Sequence, residues 1–267
     1  MRAVRSVLIG FCLVVLVPHP SLAQASSSPD QLRFFVDITL SGVASPLALG
    51  RVFTSRAVTF GEIATAHATY PEPSRENLLP LAEAGGGIML GRHFGVGVIY
   101  SRTSYEDVVG LDATVPHPVF LNAPASGLGV SAGTLERKEA AAHVLLVLAP
   151  IRTARSEMRL HFGPSFFWYR ADMVREVLYT QTFDALTPSN LITINDAASQ
   201  KVTAATLGFH LGGDLTYFLT HRFGIGGGMR YSRGTVTVEP EPLSRLKQDI
   251  RVGNTLYFVS LRVRFSH

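Results

Sequence analysis

Residues 202–219 read VTAATLGFHLGGDLTYFL, and their alternation decides the fold class. One face of this run carries Leu207, Phe209, Leu211, Leu215, Tyr217 and Leu219. The other carries Thr206, Gly208, His210, Gly212, Asp214 and Thr216. A period of two residues belongs to a strand with different surroundings on its two sides, and it is incompatible with a helix.

The same pattern recurs in both directions along the chain. Tyr257, Val259, Leu261, Val263 and Phe265 oppose Ser260, Arg262 and Arg264. Residues 223–238 set Ile225, Met229 and Tyr231 against Gly224, Gly226, Gly228, Arg230 and Ser232. Upstream, Phe34, Val36, Ile38 and Leu40 oppose Arg33, Asp37, Thr39 and Ser41. Phe94, Val96, Val98 and Tyr100 oppose Gly95, Gly97 and Ser101. Leu160, Phe162, Phe166 and Trp168 oppose Arg159, His161, Gly163 and Ser165. Residues 136–149 are apolar more evenly, so their faces are not separable by pattern.

The composition of the whole chain also points to β-structure. The chain has 267 residues, 46% hydrophobic and only 16% charged, with 24 Gly. That charge content is below the roughly 25% of soluble domains and does not suit disorder. No apolar run reaches the ~20 residues of a spanning helix. Residues 1–23 read as a secretory signal peptide: Arg2 and Arg5, an apolar core over 7–17, Pro18 and Pro20, then Ser21-Leu22-Ala23. Cleavage after Ala25 is the near alternative. The single cysteine, Cys12, lies in that apolar core. The mature chain is therefore expected to lack disulfides, thiol nucleophiles and thiolate metal sites. Losing Arg2 and Arg5 lowers the formal net charge from +4 to +2. With Lys scarce and no basic cluster, nucleic acid is not an expected partner.

Connections alternate in length. Arg92-His93, the 150–157 segment and Thr220-His221-Arg222 are short. The intervals 109–135, 179–201 and 239–249 are longer and rich in Pro, Ser, Asn and Thr. Short turns at one end and long loops at the other is the layout of outer-membrane barrels, and counting back from the last strand gives eight strands. That count makes 32–91 one tall hairpin with its tip near Gly61-Glu62. A ten-stranded alternative uses 51–60 and 63–70 as a further spanning pair. These segments lack a lipid-grade face, so they are placed above the bilayer.

Alternation does not say which face is inside, and a soluble lipocalin-type barrel would bury the apolar one. Aromatics near strand ends (Phe94, Tyr100, Tyr217, Phe218, Tyr231, Tyr257, Phe265) favour interfacial girdles, and glycines on the polar face favour a narrow lumen. The chain closes on Ser260, Val263 and Phe265, followed by Ser-His. With Tyr257, this resembles the C-terminal assembly signal of bacterial outer-membrane barrels, with Ser in place of the usual Gly and two extra residues. Together with Gly163-Pro164-Ser165-Phe166-Phe167 and 208–233, the mature chain resembles the small OmpA-, OmpX- and OmpW-like barrels. The resemblance implies an all-β, eight-stranded antiparallel up-and-down transmembrane β-barrel over 32–265, preceded by a short 24–31 segment, with long extracellular hairpins and short periplasmic turns. It also implies the outer membrane of a Gram-negative bacterium, surrounding outer-membrane lipid, and passage through periplasmic chaperones and the barrel-assembly machinery.

A barrel of eight strands is just wide enough for its inward side chains to fill it. The expected inward charge network is Asp37, Glu83, Arg159, His161, His210, Asp214, Arg230, Arg262 and Arg264. Opposite charges in such a lumen pair, because a lone buried charge is costly. The expected role is non-enzymatic, structural or surface-recognition, with a largely plugged polar lumen. A narrow channel for ions or small solutes is the alternative, and a lipid-modifying enzyme the lesser one. His161 and Ser165, and His210 and Asp214, share faces at a spacing of four, about 13 Å along a strand, too far for direct bonding. Scattered histidines suggest no metal site, and Gly85-Gly86-Gly87 and Gly226-Gly227-Gly228 precede no helix that would make them a phosphate loop, so no cofactor is expected. His117, between Pro116 and Pro118, reads as part of a rigid loop. The 115–125 stretch is a candidate surface for an extracellular ligand.

Overall fold

The computed structural model describes residues 33–43, 50–70, 81–238 and 248–266. The expected signal peptide, the 24–31 segment and the appended His267 lie outside the described residues. Eleven strands are formed: β1 (Arg33–Val43), β2 (Gly50–Thr59), β3 (Glu62–Tyr70), β4 (Leu81–Met89), β5 (Phe94–Val115), β6 (Ala125–Arg152), β7 (Ser156–Phe183), β8 (Asn190–Phe218), β9 (Phe223–Val238), β10 (Gln248–Val252) and β11 (Thr255–Ser266).

Eight of them close a ring in the order β1-β4-β5-β6-β7-β8-β9-β11, every pair antiparallel. Closure is made by the first and last strands, with Arg33 opposite Ser266 and Leu40 opposite Val259. Between β1 and β4 the chain makes the tall excursion expected from the strand count. It turns at Phe60-Gly61, both with positive φ (53° and 80°), and β2 and β3 pair above the ring rather than widening it to ten.

The exposed apolar side chains form a belt around the ring. Phe34, Val36, Ile38 and Leu40 on β1 continue into Phe94, Val96 and Val98 on β5, Phe162 and Phe166 on β7, and Leu207, Phe209 and Leu211 on β8. Inside the belt lie Asp37, Glu83, Arg159, His161, Asp214, Arg230 and Arg262, all buried. An apolar exterior around a charged interior is the reverse of a soluble barrel and fits lipid. From Leu207 to Tyr217 the strand covers about 34 Å, or about 26 Å along the axis at a tilt of ~40°. That matches a hydrocarbon band. Tyr100, Trp168, Tyr231 and Tyr257 edge it on one side, and Phe34, Phe94, Tyr217, Phe223 and Phe265 on the other. Phe218 leaves this set: it is 2% exposed and faces inward, because the face of β8 that carries Thr216 carries it too.

Two of the three long intervals are not loops. β5 runs on to Val115 and β6 begins at Ala125; β7 reaches Phe183 and β8 begins at Asn190. The third interval contains β10, paired with β9, while 239–247 lie outside the described residues. Above the belt the solvent is water, so the apolar side must turn inward. Val109, Leu111, Ala113 and Val115 on β5, Phe167, Tyr169, Ala171 and Met173 on β7, Ile192 and Val202 on β8, and Val236 and Val238 on β9 build one buried core. β3 takes over from β4 as the neighbour of β5, through Thr65 opposite Thr114 and Thr69 opposite Gly110. Its residues Ala66, Ala68 and Tyr70 face that core. The hairpins therefore stand as a packed tower on the membrane ring.

Candidate functional site: the charged lumen

The inward face of the belt carries small residues beside large charged ones. Gly224, Gly226 and Gly228 on β9 and Gly212 on β8 leave room for the side chains facing them. A Cβ on Gly228 would sit 2.9 Å from the Asp214 Cβ. Into that room the first, last and middle strands project opposite charges.

Arg262 on β11 is the hub. Its Nε and Nη2 donate to the two carboxylate oxygens of Asp37 on β1 at 2.6 and 3.1 Å, a bidentate pair. Its Nη1 reaches Asp214 Oδ1 at 2.7 Å and donates to Thr216 Oγ1 at 2.6 Å, both on β8. Arg159 on β7 lies 3.7 Å from Asp37 and 3.6 Å from Glu157. Arg264 lies 3.7 Å from the other oxygen of Glu157 and stacks on the ring of Phe218 at 3.2 Å. Higher in the lumen, Arg230 on β9 is ion-paired with Glu83 on β4, two strands that are not neighbours in the ring. Asp37, Glu83, Glu157 and Asp214 thus face Arg159, Arg230, Arg262 and Arg264, and the charges balance.

Beside Arg230 sits a histidine group. Ser165 Oγ lies 2.8 Å from His143 Nδ1 and 3.1 Å from His210 Nδ1. The rings of His143 and His210 meet edge to face at 5.1 Å, and His161 lies 5.8 Å from His210. The spacing of four along one strand kept His161 and Ser165 apart. Cross-strand register instead brings Ser165 opposite His143, and Gly163 opposite His210. Ser165 is fully buried inside the wall, so this group meets neither lipid nor bulk water. Among the described residues, no group of three His, Cys, Asp or Glu side chains is arranged to hold a metal ion.

All nine candidate residues face inward, and the network also contains Thr216 and Ser165, which the sequence places on the polar face but not in the network, and Glu157 and His143, which it does not single out. Glu157 begins β7 inside what reads as a short turn. His143 lies in the evenly apolar 136–149 segment, where Ala140, Ala141 and Ala142 hide the alternation. Among the charges at the turn end of the lumen, Phe35, Met89, Leu145, Val147 and Ala149 form an apolar cluster. The Arg159 guanidinium stacks on Phe35 at 4.1 Å. A cavity of about 10 Å³, room for a single water, remains between His143, Arg230, Ser232 and Leu256. His117 at the tower tip is buried, and its Nδ1 accepts the N–H groups of Val119 and Phe120, both at 3.1 Å. Phe120 and Phe183 flank its ring.

The architecture is that of a small outer-membrane-type barrel. No family model matches the chain, and no curated protein matches it in sequence. Solved structures that it resembles include the outer membrane protein OprG from Pseudomonas aeruginosa, at 11% identity and TM-score 0.44 over 90% of this chain and 97% of that one. A major outer membrane protein from Thermus thermophilus shows 11% identity and TM-score 0.44 over 88% and 99%. The outer membrane protein AlkL, solved in lipid bilayers, shows 12% identity and TM-score 0.44 over 94% and 98%.

Proposed function

We propose that this chain is an integral outer-membrane protein of a Gram-negative bacterium, without enzymatic chemistry, whose lumen is held shut and whose tower is a surface for recognition. The observation that carries this reading is the balanced charge network. Four carboxylates and four arginines from β1, β4, β7, β8, β9 and β11 fill the lumen, packed beside an apolar cluster. A cavity between His143, Arg230, Ser232 and Leu256 has room for one water. Ions cannot cross such a lumen unless the pairs part. At the other end, exposed apolar side chains at the hairpin tips (Val119, Leu121 and Leu186) are held on a rigid support, which suits contact with a partner at the cell surface.

Two measurements test it. Purified outer membranes run on a detergent gel with and without boiling should show a heat-dependent mobility shift confined to that fraction. In planar bilayers the wild-type protein should stay silent, whereas Arg230→Ala, which leaves Glu83 unpaired, should produce discrete conductance steps. Steady conductance from wild type would overturn the closed-lumen reading in favour of a narrow channel for ions or small solutes.

A further inference from the structure

Among the described residues, the outer wall carries a depression of about 520 Å³ at the tower-side edge of the apolar belt. Its lining includes Tyr100, Arg102, Trp168 and Arg170 together with the acidic residue Glu139, and it spans three outward-facing rows of cross-strand neighbours. The lowest is Tyr100, Ala142, Phe166 and Leu207, which belongs to the belt. The next is Arg102, Ala140, Trp168 and Ala205. The third is Ser104, Lys138, Arg170 and Thr203. Ala140 and Ala205 are too small to fill the space on either side of Trp168, so the wall is indented between β5 and β8. Its lower rim is aromatic and its upper rim is basic.

Neither Arg102 nor Arg170 has an ion-pair partner among the described residues, and both side chains are exposed. Lys138 is paired with Glu136. The following row (Glu106, Glu136, Asp172 and Lys201) is mostly acidic, so the free positive charge is confined to the level just above the lipid boundary. Arg102 and Arg170 stand two strands and one row apart, roughly 12 Å between backbones. That is within reach of one headgroup for two long side chains.

We infer that this depression binds a phosphorylated glycolipid of the outer leaflet, with its phosphates on Arg102 and Arg170 and an acyl chain lying over Ala140 and Ala205 against Trp168. Guanidinium forks match phosphate oxygens, and Trp and Tyr sit where acyl chain gives way to headgroup. The floor runs without a step into the lipid-facing row below, so a bound chain remains in the bilayer while its headgroup is held. A soluble anion would meet the arginines alone and leave the apolar floor empty. This inference rests on the reading of the chain as an outer-membrane barrel.

The test is native mass spectrometry of the folded, detergent-purified barrel titrated with lipid A. The wild type should retain phosphorylated lipid A. The double variant Arg102→Gln, Arg170→Gln should bind it about tenfold more weakly or worse. Chemically dephosphorylated lipid A should bind wild type as weakly as phosphorylated lipid A binds the variant, and inorganic phosphate should not compete. A control, Arg155→Gln with Arg222→Gln, removes the same charge at the opposite rim and should bind like wild type. Equal binding by the double variant, equal binding of dephosphorylated lipid, or an equal loss in the control would each overturn the site. Competition by inorganic phosphate would reduce it to a simple anion contact and overturn the lipid assignment. The heat-dependent gel shift, run on every sample, separates these outcomes from failure of the barrel reading itself.

Discussion

Arg262 satisfies two buried carboxylates and a hydroxyl at once, and that concentration makes it the side chain whose loss should cost most. Removing one member of a buried pair leaves an uncompensated charge, which costs about 3–5 kcal/mol. Arg262→Gln should therefore lower the urea midpoint of the barrel in vesicles by a corresponding amount, whereas Arg155→Gln at an exposed turn should leave it unchanged. Gly228 is constrained sterically: Gly228→Val would drive its side chain into Asp214, and reduced yield of the heat-shifted form is the expected readout. The nine charged or histidine positions were legible residue by residue because each sits opposite an apolar neighbour in a strand of period two. Their partners were not legible. Pairing depends on register, and register arises from the shear of the closed ring rather than from any local pattern. His143 and Glu157 show the same limit: one is hidden by alanines, the other by its place at a turn.

At the scale of elements, β3 is the strand the sequence described least well. Its sequence shows no lipid-grade face and so belongs above the bilayer, and there Ala66, Ala68 and Tyr70 pack against β5 and β7. Tyr70 fixes this contact. Its hydroxyl accepts the Val174 N–H at 2.8 Å, and burial pushes its ionisation up to about 12 despite that lowering bond. Tyr70→Phe leaves a buried N–H without an acceptor, a loss of about 1–3 kcal/mol. Amide exchange at Val174 should accelerate accordingly, with little change at β11. The sign of the pH effect follows from the raised value. The unfolded tyrosine ionises near 10 and the folded one near 12, so Tyr70's contribution to tower stability is intact below pH ~10 and is lost as pH rises through ~12. Tyrosinate absorbance followed together with tower amide exchange measures it. β11 carries a different expectation. Tyr257 and Phe265 face lipid and Ser260 faces the lumen, and the resemblance of this strand to an assembly signal makes recognition by the assembly machinery an expectation to be tested. Deletion of Phe265 should abolish insertion in cells, and normal insertion without it would end that expectation.

For the whole molecule, the decisive property is an inversion of polarity partway up. On β7 the inward residues change from Arg159, His161 and Ser165 to Phe167, Tyr169, Ala171 and Met173, while the outward ones change from Phe162, Phe166 and Trp168 to Arg170. The backbone keeps its alternation and only the surroundings change, from lipid to water. The eight-strand count was legible because lipid imposes one strong pattern on every spanning segment. The tower parts of β5 to β8 read as loops in the sequence because their apolar positions sit on the opposite phase, among Pro, Ser and Thr. Matched substitutions separate the two zones. Leu211→Arg faces lipid and should reduce membrane insertion, at up to about 2–4 kcal/mol for a mid-membrane charge. Leu111→Arg faces the tower core and should leave insertion intact while opening the hairpins to added protease.

The meeting of β1 with β11 has a consequence for how the ring comes to be closed. Asp37 and Arg262 stand directly opposite each other on the strands that begin and end the barrel, 225 residues apart in sequence. A slip of one residue at this seam would turn one member of the pair out into hydrocarbon. A slip of two would set Asp37 beside Ser260 or Arg264, away from the hub that also holds Asp214. The pair is thus a clasp with a single correct notch, and a barrel zipped in any other alignment remains unfastened at the joint that must hold last.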